Sequence, residues 1–254
     1  MIVLDTNSLL TILLVFLRVL SFVVMVPLFG TFFLPNFIRV YLALAVAVSI
    51  VMVADIKPLE INSALQFIAY ALHELSFGFL AGFFLRLLFD TFFVAGEVIA
   101  VNTGLGFLMM FLPQQPQTTV LAGFSTMFAS TLFLALGGAE AVFVGLAKSF
   151  ESTPVGSFDI YSINGQVFLS LFYKSFSMGV KVALPVLIVA ILTNVILAVV
   201  NRFIPQINVF MVGLPLQIVV GMTVFVLSMP VIGLVLASYI RDYMLDFIRF
   251  VASG

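Results

Sequence analysis

The sequence has no cysteine, no tryptophan, one histidine, and charged residues at only 8% of positions. Without cysteine there is no disulfide, no thiol nucleophile and no thiolate metal site. The single histidine, His73, is followed by Glu74 as in a zinc-protease helix, but the second histidine of that pattern falls on Phe77. One histidine without cysteine does not build a zinc site, so His73 reads as a helix-contact or interface residue. No nucleophile elbow and no phosphate-binding P-loop occurs, and nothing points to an enzyme or to a cofactor. Lys and Arg number 10 against 11 Asp and Glu, a net charge of −1, which leaves no basic stripe for nucleic acid. The absence of tryptophan beside 30 Phe and six Tyr is informative too. Phe lacks the polar handle of an interfacial belt residue, a hint that much apolar surface faces protein rather than lipid. Met1–Asp5 has no basic region and no small-residue cleavage signal, and reads as a retained segment.

What is present is apolar. Of 254 residues, 63% are hydrophobic and the mean hydropathy is +1.31, whereas a soluble domain is about 45–50% apolar and about 25% charged. The chain belongs in a bilayer or in a very apolar assembly. A spanning helix takes about 20 apolar residues, so the length allows roughly six, and the expected fold is all-α and polytopic, with lipid as one partner. The apolar segments are 9–29, 40–54, 65–88, 89–110, 120–146, 167–200 and 210–239. Gly78 and Gly82 stand at GxxxG spacing, and Ala43, Ala45 and Ala47 allow close helix contact. The fifth region is interrupted at Gly137-Gly138, and the last at Gly213, Pro215, Gly221, Pro230 and Gly233. Residues 149–164 form the longest polar connection. The tail 241–254, with Asp242, Asp246 and Arg249, suits a short amphipathic helix. No repeat of fixed period is visible. Arg39 and Arg202 in two of the turns favour an outside N-terminus by the positive-inside rule, while Lys57 and Lys148 oppose it.

Charges interrupt the apolar segments at Arg18, Glu74, Arg86, Asp90, Glu97, Glu140, Lys174 and Lys181. Each costs about 2.5–3.5 kcal/mol at the centre of a span. Arg86, Asp90 and Glu97 share one helical face, as do Lys174 and Lys181. The ordinary reading is pairing between helices or contact with a wet assembly interior. A proton or ion relay, as in a stand-alone secondary transporter or channel, is the alternative.

One stretch breaks an apolar segment outright: Gly104-Leu105-Gly106-Phe107-Leu108-Met109-Met110-Phe111-Leu112-Pro113, followed by Gln114–Thr119. Irregular backbone at membrane depth is tolerated only where protein buries it or water lines it. Gly104 and Gly106 permit a bend, and Pro113 and Pro116 keep the following loop from becoming helix.

In the second half, Ala183-Leu184-Pro185-Val186-Leu187-Ile188, Asn194, and Asn201-Arg202-Phe203-Ile204-Pro205-Gln206-Ile207-Asn208-Val209-Phe210-Met211-Val212-Gly213-Leu214-Pro215-Leu216 resemble the C-terminal signature of the FliR family of flagellar type III export-gate proteins. Arg18 with Pro27-Leu28-Phe29-Gly30, Pro35 and Arg39, then Ala95-Gly96-Glu97-Val98-Ile99, then Ser149-Phe150 with Pro154 and Gly156, resemble its first half. The resemblance covers nearly the whole chain and departs from the pattern at Leu112, Ala139 and Gln217. It implies a single FliR-like domain over 1–254: FliP-like helices over 1–165, a FliQ-like hairpin over 166–240, and a short tail. It also implies one such chain among several FliP and FliQ subunits, forming a channel for unfolded flagellar export substrates, with FlhB at the cytoplasmic mouth and FlhA around the gate. The location implied is the bacterial inner membrane and flagellar basal body, partly above the bilayer on the periplasmic side. SctT of virulence-type secretion is the homologous subunit. A loop at about 106–119 is expected to plug the channel, with Gly106, Phe107, Leu108, Met109, Met110, Phe111 and Pro113 as its seal. Phe and Met suit a dry but deformable closure. Arg18, Arg86, Asp90, Glu97, Lys174, Lys181 and Arg202 are expected at subunit contacts, and Pro205, Gln206, Asn208, Gly213 and Pro215 at the hairpin turn.

Overall fold

A computed structural model describes residues 5–29, 35–54, 56–109, 119–159, 165–204 and 209–253. Among them the fold is all-α. Helices run α1 Thr6–Met25, α2 Asn36–Val53, α3 Ala64–Asn102, α4 Leu105–Met109, α5 Val120–Ala135, α6 Gly138–Ser152, α7 Gly165–Phe203 and α8 Val209–Ser253, with a short 3-10 turn at Pro27–Phe29. Five helices are long and apolar enough to cross a membrane, or up to six if the bent pair α5–α6 is one span. This is an all-α polytopic membrane protein.

Four expectations about the helices need correction. Segments 65–88 and 89–110 are not separate, because α3 runs unbroken for 39 residues and Asp90 does not interrupt it. The prolines inside the last apolar run do not divide it either, and the preceding run is continuous as expected. Pro185 lies within α7, and Pro215 and Pro230 lie within α8. A proline removes one backbone bond, which a helix of this length survives. The tail is not a separate helix but the last turns of α8. The break at Gly137 is confirmed: α5 and α6 meet at 69°, and Gly137 takes φ +80°, a conformation that favours glycine. Residues 149–152 continue α6, so the polar connection begins at Thr153.

Contacts divide the chain into two compact units. One holds Met1–Leu87, Leu134–Leu171 and Arg241–Gly254; the other holds Leu88–Phe133 and Phe172–Ile240. In the first, α1 buries the stripe Thr11, Leu14, Val15, Arg18, Val19, Phe22 and Val23, which follows helical periodicity. Asp5 caps its start by accepting from the Thr6 N–H. A second cluster joins Phe22, Phe84 and Tyr243 with Phe247 of α8, and the Tyr243 hydroxyl donates to the Phe84 carbonyl at 2.6 Å. In the other unit, Ile99, Ala100, Leu121, Ala183, Val186 and Phe225 form a core drawn from α3, α5, α7 and α8.

The GxxxG pair does what its spacing suggests. A Cβ on Gly78 would run into the Arg18 backbone carbonyl and Ser21 Oγ, and one on Gly82 into Met25 and the Phe22 backbone. Backbone atoms cannot step aside, so Gly78→Ala should destabilise the purified protein by about 1–3 kcal/mol, the usual cost of overpacking. Gly123→Ala, where nothing lies within 4 Å, should be neutral or slightly stabilising. Thermal unfolding of both variants in detergent checks the contrast.

Candidate functional site

Two arrangements stand out, one in each unit. In the first, Arg18 is wholly buried in the middle of α1. Its Nε and Nη2 donate to the two Glu74 carboxylate oxygens at 2.5 and 3.0 Å, a bidentate pair of the geometry that guanidinium favours. Nη1 donates to the Ser149 carbonyl and hydroxyl at 3.3 and 3.1 Å, and Nη2 also to the Thr153 carbonyl at 3.1 Å. The rings of Phe77 and Phe150 lie 4.5 and 4.0 Å from the guanidinium carbon, close enough for cation–π attraction. Glu74 Oε1 accepts from the Gly156 N–H at 2.7 Å, and His73 Nδ1 lies 3.0 Å from the Gly156 carbonyl. The pair thus fastens α1, α3, the end of α6 and the turn after it at one point. The expected subunit contact for Arg18 is corrected here: with no exposed surface, it spends its donors inside its own chain.

In the other unit, α3 ends where it is needed to end. Thr103 turns the chain, its N–H bonded to the Ile99 carbonyl at 2.9 Å and its hydroxyl to Ala100 at 3.2 Å. Gly104 follows at φ +78°, against Leu214, Gln217 and Ile218 of α8, while Gly221 of α8 accommodates the Thr103 side chain. Gln217 donates to Asn194 of α7. The short α4 then carries Gly106, half-buried, and Phe107, exposed. Leu108 and Met109 continue its backbone. Met110, Phe111 and Pro113 lie outside the described residues, as do Pro205, Gln206 and Asn208 of the hairpin turn.

The chain re-emerges at Thr119. Its N–H donates to Glu97 Oε1 at 2.9 Å, and its hydroxyl accepts from the Ala122 N–H at 3.2 Å to cap α5. Gly96 lies so close to the Leu121–Ala122 backbone that a Cβ would collide with it. Both ends of the 106–119 loop are therefore seated on helices of one unit. Glu97, expected at a subunit contact, is half-buried and serves an internal bond.

The remaining charges are placed differently. Arg86 is exposed and reaches Met25 Sδ at 3.8 Å, Asp90 is half-buried, and Lys174, Lys181 and Arg202 are exposed. Gly213 is buried and Pro215 exposed within α8. Sequence reasoning did not find the Ser149, Thr153 and Gly156 partners or the Thr119 cap. Glu74 was visible as a charge in an apolar segment, and only its pairing with Arg18 was hidden.

The architecture is that of an all-α polytopic membrane protein. Comparison with known proteins makes this specific. The family described as "Bacterial export proteins, family 1" matches residues 9–243. The flagellar biosynthetic protein FliR of Aquifex aeolicus is 48% identical over 96% of this chain and 95% of its own. Those of Escherichia coli and Bacillus subtilis are each 28% identical, over 85% and 89% of this chain and 83% and 88% of their own. The chain belongs to this family of bacterial export proteins, the FliR family.

Two expected outcomes test the geometry. Glu74→Ala leaves the Arg18 charge buried and unpaired, and should cost about 3–5 kcal/mol. The double variant Arg18→Leu with Glu74→Leu should recover much of that loss, and unfolding midpoints of the two compared by thermal melts decide it. Separately, Glu97→Ala should loosen the Thr119 end while Glu97→Gln keeps an acceptor there. Hydrogen exchange at the Thr119 amide should quicken in the first variant by roughly tenfold, a bond's worth of protection, and change little in the second.

Proposed function

We propose that this chain is a core subunit of the flagellar type III protein export gate, forming with FliP and FliQ the channel through which unfolded flagellar proteins pass. The family membership supports an export role. The observation that carries the gating part is the seating of the 106–119 loop: its start rests on α8 through Gly104 and Thr103, and its return is held by Glu97. A loop fixed at both ends keeps its place in a channel while its Phe- and Met-rich apex deforms around a passing chain. The seal is formed by Gly106, Phe107, Leu108, Met109, Met110, Phe111 and Pro113. Arg86, Lys174, Lys181 and Arg202, exposed on apolar helices, meet neighbouring subunits, and the turn at Pro205, Gln206 and Asn208 joins the FliQ-like hairpin. FlhB lies at the cytoplasmic mouth and FlhA around the gate, in the inner membrane with part of the assembly on the periplasmic side.

Deleting Phe107–Phe111 should raise ion and small-solute leakage through the assembled gate several-fold, because a dewetted constriction is lost. Leakage is measured in liposomes holding the chain with its co-purified subunits. Unchanged leakage with intact assembly would remove the plug from this reading, and autonomous substrate transport by the chain alone would replace the reading altogether.

A further inference from the structure

Lys181 is a charge with no use inside its own chain. It is exposed near the middle of α7, in a run of apolar residues. Among the described residues its ammonium has neither an ion pair nor a hydrogen bond. The backbone at the same residue lacks a bond as well. Pro185 stands four positions on, inside the helix, and has no N–H to return to the Lys181 carbonyl. No described side chain donates to that carbonyl in its place. Residue 181 therefore carries a cation without a counter-charge and an acceptor without its helical donor. α7 cannot answer the first need, having no Asp or Glu along its 39 residues.

The surroundings select what covers this face. Acyl chains supply neither an anion nor a donor, and a bare charge among them is costly. α2 shows the contrast: its one cation, Arg39, is buried, and its exposed residues, among them Val40, Leu44, Val48 and Met52, carry no charge. A headgroup layer at Lys181 would have acyl chains on one side only and leave the other flank in water. Both flanks are apolar: Tyr173 and Phe176 before Lys181 are 74% and 69% exposed, and Leu184, Ile188 and Val195 are exposed after it. From Tyr173 to Val199 the exposed face runs about 39 Å, longer than a hydrocarbon core of about 30 Å. A second copy of the same face would bring lysine to lysine. A protein helix lying along α7 covers both flanks, and one carboxylate on it supplies the missing charge.

We propose that the Lys181 face of α7 docks an apolar helix of a neighbouring subunit that carries one Asp or Glu opposite the ammonium. The neighbouring subunit is supplied by the gate reading, on which this docking rests; the chemistry that recognises it comes from α7. The apolar side chains on either side of Lys181 give close packing, and the ion pair fixes the register in which the two helices meet. A helix without a carboxylate at that level would strand the lysine, so the contact selects its partner by charge as well as by shape.

The test is carbodiimide coupling of the purified assembly, the full-length chain with its co-purified subunits. Carbodiimide joins a lysine amine to a carboxylate in contact with it. Peptide mass spectrometry should find Lys181 coupled to an Asp or Glu of another chain. Lys181→Met should hold that subunit about tenfold less tightly than wild type, the worth of one charge-assisted contact. Lys181→Arg keeps the charge and should hold it as wild type does. Lys57→Met, at an exposed lysine in the connection after α2, should change nothing. Coupling of Lys181 to no other chain, or assembly of Lys181→Met as tight as wild type, would overturn the docking and leave the gate reading standing. So would loss of tightly bound phosphatidylglycerol, rather than of a subunit, from Lys181→Met, which would assign the face to lipid. A chain that purifies from its native membrane with no other subunit would remove the gate reading, and the docking with it.

Discussion

The first unit depends on the burial of one charge. Arg18 can sit at the centre of an apolar stripe only because Glu74, Ser149 and Thr153 meet it there. Such a pair adds little net stability over an apolar pair of the same volume, but breaking it strands a charge. Residues 18, 74 and 149–156 are far apart in sequence, and every arrangement that fails to bring them together leaves the guanidinium unsatisfied. The close approach of α1 to α3 at Gly78 serves the same end, since a bulkier residue there would push the Arg18 backbone away from Glu74. The interaction is therefore a registry device first and a source of stability second.

The other unit uses a different economy. In lipid or in an apolar assembly, hydrophobic burial does not drive helix against helix, and close backbone packing takes its place. Gly96 against Ala122, Gly179 against Thr91 and Gly221 against Thr103 are contacts of this kind. They bring α3, α5, α7 and α8 near enough for the Glu97–Thr119 bond to hold the returning chain. The broken stretch is thus an interruption between fixed supports. Its first support is the α8 segment beside Gly213 and Pro215, in the part of the sequence that carries the family resemblance most strongly.

The all-α polytopic class was legible because hydropathy is a property of long windows. The GxxxG contact and the break at Gly137 were legible because glycine at those spacings has few other uses. Helix continuity was not. Asp90 and Glu97 look like interruptions in a hydropathy profile, yet a helix needs only its backbone bonds, and α3 supplies them across both. Pro215 and Pro230 look like stops, but two missing bonds in 45 residues are tolerated. The destination of the charges was also hidden. Arg18 and Glu97 stand out in sequence equally with Lys181, and only the fold separates those turned inward from those turned out. Arg39, at the head of an Ala-rich helix, gave no sign that it would be buried without a partner.

Helix length bears on where the chain sits. At 1.5 Å per residue, a 39-residue helix such as α3 or α7 extends about 58 Å, while the hydrocarbon core is about 30 Å thick. Tilt absorbs a few ångströms of excess, not a factor of two. Some turns of α3, α7 and α8 must therefore leave the hydrocarbon, although their sequences stay apolar throughout. Apolar turns outside lipid need protein to cover them, and Lys181, exposed near the middle of α7, needs water, headgroups or a partner rather than acyl chains. On the reading proposed above both demands are met together, because neighbouring subunits would cover the apolar turns and enclose a wet interior. The same demands make a solitary transporter a poor fit, since it would have to leave the surplus apolar turns in water.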